Sequence, residues 1–72
     1  MYIVRVNIVS GVIQREVNHD SNMPSGITER SYMIDNWIIV ESRKSFDAAL
    51  RSAIIKLSDW HVSMESLGKV TF

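Results

Sequence analysis

Between Ser45 and Trp60 the chain carries a single complete helical stripe, and the segments around it read as strand or loop. Phe46, Ala49, Leu50, Ala53, Ile54, Leu57 and Trp60 recur at i, i+3, i+4, i+7, i+8, i+11 and i+14, one face of a 3.6-residue period. One helix covers one face of a sheet. The other face must then be polar or meet a partner, and that choice bounds what the chain can do.

The remaining segments supply the sheet. Residues 2–9 alternate, with Tyr2, Val4, Val6 and Ile8 on one side and Ile3, Arg5, Asn7 and Val9 on the other. Ser10-Gly11 reads as a two-residue hairpin turn, and residues 12–17 as the return strand. That turn sets Val9 against Val12, Ile8 against Ile13, Val6 against Arg15, Arg5 against Glu16 and Val4 against Val17. Arg5, Asn7, Gln14 and Glu16 then share a polar face, and Val4, Ile8, Ile13 and Val17 an apolar one.

Residues 18–30 are rich in turn formers and hold the single proline, which predicts a surface loop. Strand character returns over 31–42, interrupted by Asp35-Asn36. Both residues disfavour strands and favour tight turns. Either a second hairpin pairs 29–34 with 37–42, the reading preferred here, or one long strand carries a bulge. Trp37-Ile38-Ile39-Val40 is apolar at both parities, as in an interior strand covered on both faces. Ser45 is a good N-cap, and Asp47 suits the positive end of the helix dipole. Val62, Met64, Leu67, Val70 and Phe72 read as extended, with a last strand expected near 68–72 and a turn or bulge at Gly68. The expected fold is α+β: a mostly antiparallel sheet of three to five strands, with one amphipathic helix packed on one face.

Seventy-two residues form one domain, 1–72, that buries only about 60% of its unfolded surface. Such domains commonly rely on disulfides, metals or oligomerisation. The chain has no cysteine, which removes disulfides and thiolate metal sites and shifts weight to a homodimer or to docking on another protein. Lys+Arg and Asp+Glu both total 8, against the basic excess usual in nucleic-acid binders. No apolar run approaches the ~18–20 residues of a membrane span. The N-terminus enters a strand pattern without a signal-peptide layout, so a cytoplasmic protein is expected.

Catalytic constellations are missing. His19-Asp20-Ser21 holds the residue types of a hydrolase triad, but neighbours in one loop do not converge as a triad must. His19 and His61 lack metal-ligand spacing, so neither a metal nor any other cofactor is expected. Gly11, Gly26 and Gly68 are isolated and fit turns rather than a phosphate loop. Glu16, Glu29, Asp35 and Glu41 read as outward or strand-end residues. Arg43-Lys44, with Arg15, Arg30 and Arg51, could form a small phosphate-binding patch, and Arg43, Lys44 and Arg51 are the basis of an alternative nucleic-acid-binding role.

More suggestive is the 37–40 strand. If Ile38 and Val40 meet the helix, Trp37 and Ile39 emerge on the helix-free face among Arg5, Asn7 and Gln14. An aromatic anchor ringed by polar groups has the composition of an interface hot spot. The competing reading puts Trp37 in the core and leaves Ile38 partly exposed or capped by the 18–30 loop.

Ser45-Phe46-Asp47-Ala48-Ala49-Leu50, followed by Ala53 and Leu57, resembles the strand–helix step of HicB-like antitoxins, and Pro24-Ser25-Gly26 is similar to their Pro-x-Gly entry loop. The resemblance covers the helix and the strand before it. The chain departs from that pattern in the extra residues 27–36 and in showing no C-terminal DNA-binding segment. The resemblance implies a β-β-β-α core acting without catalysis through protein contact. The chain's compactness is also similar to that of phage and prophage accessory proteins. A regulatory protein-binding module is therefore expected, self-associating or acting on a partner, with Trp37 and Ile39 as anchors and Arg5, Asn7 and Gln14 as rim.

Overall fold

The computed structural model describes residues 1–20 and 22–66. Four strands, β1 (Tyr2–Asn7), β2 (Ile13–Val17), β3 (Glu29–Ile34) and β4 (Trp37–Ser42), precede one helix, α1 (Phe46–Ser66). All neighbouring strands are antiparallel, and the sheet order is β2-β1-β4-β3. The fold is α+β. The strand expected near 68–72 lies outside the described residues, as do Leu67, Gly68, Val70 and Phe72.

The two apolar strands take the centre because only there can both of their faces be covered. Val4 and Val6 of β1 and Ile38 and Val40 of β4 project to one side, where Ala49 and Ala53 of α1 close on them. Both alanines are 0% exposed. Their small size lets the helix lie close to the sheet. Ile8, Phe46, Leu50 and Leu57 seal the margins of this core. The Tyr2 and Phe46 rings meet edge to face, 5.0 Å apart, tying the start of α1 to the start of β1.

Asp35-Asn36 is a hairpin turn, with Ile34 opposite Trp37 and Asp35 at a φ of 54°. That left-handed backbone is one aspartate tolerates better than most residues. The first hairpin differs from expectation. Its connection is residues 8–12, and Val4 faces Arg15 rather than Val17. The cause is Asn7. Its Oδ1 accepts from the N–H groups of Val9 and Ser10, and its carbonyl accepts from Gly11 N–H, which builds a wider turn. Gly11 sits at a φ of 75°. The register moves by two residues, so each side chain keeps its face. Arg5 and Glu16 become diagonal neighbours and still form an ion pair at 2.8 Å.

Ser45 caps α1, its Oγ accepting from Ala48 N–H at 3.1 Å. Ser45→Ala is expected to cost about 1 kcal/mol, measurable as a shifted urea midpoint at unchanged slope. The helix runs past Trp60 to Ser66, so Val62 and Met64 are helical rather than extended. No breaker stands between residues 61 and 66, and Leu57, Trp60, His61 and Met64 continue the half-buried stripe. Ile54 leaves the stripe at 53% exposure, because α1 packs chiefly over β1 and β4 and far less on the outer strands.

The second face is not left bare. Ile3 and Ile39 point away from the helix, yet they are only 4% and 7% exposed. The 18–28 connection crosses from β2 to β3 at this end of the sheet and buries Met23 there. Arg43 pins it: Nε donates to the Ile27 carbonyl at 2.8 Å and Nη2 to the Met23 carbonyl at 2.6 Å. The Met1 ammonium donates to the Asn18 carbonyl at 2.8 Å.

Candidate functional site

The helix-free face is assembled by strand parity. Cross-strand partners share a face, so Gln14 and Glu16 of β2, Ile3, Arg5 and Asn7 of β1, Trp37, Ile39 and Glu41 of β4, and Arg30, Tyr32 and Ile34 of β3 all lie on it. Trp37 is therefore on the side away from α1, half-buried between Asn7 and Ile34.

The face has two ends of different character. At one end, under the 18–28 connection, Glu41 is buried at 6% exposure. This corrects its expected outward placement. The loop held by Arg43 covers this end of β4, and the carboxylate is retained because it has partners. Arg30, directly across from it, donates from Nε to Oε2, and Tyr32 donates its hydroxyl to Oε1 at 3.4 Å. Arg30 also reaches Asn22 Oδ1 at 3.2 Å. The hydrogen bond to Glu41 raises the Arg30 pKa above its ordinary value. Burial first, and then the Glu41 charge, raise the Tyr32 phenol above its usual range.

The other end is open and apolar. Ile34 is 54% exposed and Tyr32 40%, and with Trp37 they form a contiguous patch across β3 and β4. Ion pairs stand on both flanks, Arg5–Glu16 towards β2 and Arg30–Glu41 towards the covered end.

Of the expected site residues, Arg5, Asn7, Gln14, Trp37 and Ile39 do share this face. Ile39 has little surface to offer, since Arg5 and Tyr32 flank it across the strands and leave it almost buried. Asn7 spends its side-chain oxygen on the 8–12 turn. Gln14 is exposed beside Arg5. Tyr32 and Ile34 were not among the expected anchors. The hairpin reading at Asp35-Asn36 already places them beside Trp37 and Ile39, and that register is the signal that identifies them.

The basic alternative loses one member. Arg43 gives its guanidinium to loop carbonyls, while Lys44 and Arg51 stay exposed. His19 and Asp20 are exposed in the loop, and His61 is on α1 with its ring 5.0 Å from that of Trp60. Among the described residues no group of three or more potential ligands could hold a metal ion, and no helix is long and apolar enough to cross a membrane. Comparison with protein-family models, curated proteins and solved structures finds no match for this chain.

Proposed function

We propose that this protein is a non-catalytic, regulatory binding module that offers its helix-free sheet face to another protein. The observation that carries this reading is the Tyr32–Ile34–Trp37 patch: two aromatic rings and an isoleucine, solvent-accessible and side by side, with an ion pair on each flank. An apolar, aromatic centre with a charged rim is the layout of protein interfaces. Tryptophan and tyrosine are the residue types that most often dominate their energetics. The neutral charge balance and the engagement of Arg43 both count against a nucleic-acid partner. Similarity of the strand–helix step to HicB-like antitoxins points the same way, towards action by protein contact in a cytoplasmic, phage-derived setting.

The test is affinity capture with the wild-type chain and with Trp37→Ala in parallel, each shown to be folded by circular dichroism. Loss of a central tryptophan anchor is expected to weaken a bound protein by at least about 30-fold, the equivalent of ~2 kcal/mol. Hydrogen-exchange protection in the complex should fall on residues 32–39. Equal retention of the same proteins by folded Trp37→Ala removes this face from consideration.

A further inference from the structure

We infer that a second copy of this chain adds to the sheet along β3, the two β3 strands pairing antiparallel about a two-fold axis at Ser31. This contact uses the sheet edge and does not rest on the protein-binding face proposed above.

Both outer strands offer unpaired backbone, and the ladder identifies which groups are free. Arg43 N–H donates to the Thr28 carbonyl at 2.9 Å, so the alternation of antiparallel bonding turns Arg30, Tyr32 and Ile34 towards β4. Glu29, Ser31 and Met33 then direct their N–H and C=O groups outward. On the opposite edge, Asn7 N–H donates to the Val12 carbonyl and Asn18 N–H to the Met1 carbonyl, each at 2.9 Å. Ile13, Arg15 and Val17 are the outward residues there.

Charge separates the two edges. Centring a two-fold pair on β2 sets Arg15 against the partner's Arg15, and like charges directly opposite are destabilising. Centring it on β3 matches the whole strand without such a conflict. Ser31 meets the partner's Ser31, Arg30 meets the partner's Tyr32, and Glu29 meets the partner's Met33. The two Arg30 side chains approach only diagonally, and each already carries its own Glu41.

The helix side of the seam is complementary as well. Lys56 of α1 lines a shallow groove with Ser31, Tyr32, Met33 and Ile38. Since Glu29, Ser31 and Met33 share the helix-side face, the register sets the partner's Glu29 opposite Met33, at the mouth of that groove. Its carboxylate then faces the Lys56 ammonium, and the pairing occurs twice by symmetry. Met33, 47% exposed in the single chain, gains cover from the added strand. The patch on the helix-free face continues across the axis and stays available to another protein.

Sedimentation equilibrium of the full chain over a range of concentrations tests the pairing, with circular dichroism on every variant. The wild type is expected to approach twice the 8.2 kDa chain mass. Ser31→Pro removes an outward N–H while sparing the bonds to β4, and should abolish the dimer. Lys56→Glu sets two acidic groups together and should weaken the dimer at least about tenfold, with recovery in the charge-swapped Glu29→Lys/Lys56→Glu protein. Trp37→Ala should leave the dimer intact, which keeps this test separate from that of the binding face. Should Ser31→Pro fail to fold, the two exposed-charge variants decide alone. A chain that is monomeric throughout overturns the pairing, and so does a dimer indifferent to Lys56→Glu or one lost on Arg15→Glu.

Discussion

Ile38→Ala is expected to remove about 2–5 kcal/mol, the range for truncating a fully buried isoleucine. A domain of this length has only about 4–11 kcal/mol in total, at roughly 0.05–0.15 kcal/mol per residue. Ile38 is 2% exposed, on the face of β4 that meets α1, in the cluster with Val4, Val6, Val40, Ala49 and Ala53. The alanines opposite it have no side chain to spare for refilling a void. Partial relaxation therefore leaves a cavity, and the cost belongs at the upper part of the range. Urea denaturation followed by circular dichroism measures it, with Ile54→Ala as the contrast. Ile54 belongs to the same helical stripe in sequence, but at 53% exposure its truncation should change stability by no more than about 0.5 kcal/mol. Equal losses at the two positions would mean that α1 does not dock through Ala49 and Ala53.

That contrast marks where sequence reading ends for this fold. Patterns with a local cause were legible: the cap at Ser45, the turn at Asp35-Asn36, the face parity of β1 and β2, and the interior character of β4. Each depends on the geometry of a few consecutive residues. Ile54 was misplaced because periodicity gives the direction of a side chain but not the width of the surface beneath it. The first hairpin slipped by two residues because Asn7 bonds to Val9 and Ser10, a choice that competes closely with a two-residue Ser-Gly turn. The parity survived because strand side chains alternate with period two.

The covered end of the second face was illegible for a different reason. It depends on Arg43 reaching carbonyls 16 and 20 residues earlier in the chain, and no local pattern announces such a contact. Ile3, Met23, Ile39 and Glu41 are buried as a consequence. The choice posed by the single helix, between a polar second face and one that meets a partner, thus has a divided answer. The chain covers one end itself, and the other end keeps Tyr32, Ile34 and Trp37 accessible.

Arg30→Met is expected to destabilise the protein more than the double substitution Arg30→Met/Glu41→Met. Glu41 has 8% of its side-chain surface exposed, and Arg30 is the cation against it. Removing Arg30 strands a buried carboxylate, whereas removing both leaves two apolar side chains facing each other across β3 and β4. The double variant should melt at least about 4–8 °C above the single one, a resolvable interval for a domain of this size. Tyr32 supplies an independent readout through its phenolate absorbance. Its pKa is raised by burial and by Glu41, and is lowered in smaller part by Arg30. Arg30→Met should therefore move the Tyr32 titration further up, and Glu41→Met should move it back down. The same shift fixes the sign of the pH dependence. A phenol with a raised folded pKa contributes stability that is fully present below the unfolded value of about 10 and is lost as pH rises through the folded value. Tyr32→Phe should abolish that part of the alkaline loss. A double variant that melts below Arg30→Met, together with a Tyr32 titration unmoved in all three proteins, would show that Glu41 is held by packing alone and that Arg30 is incidental to it.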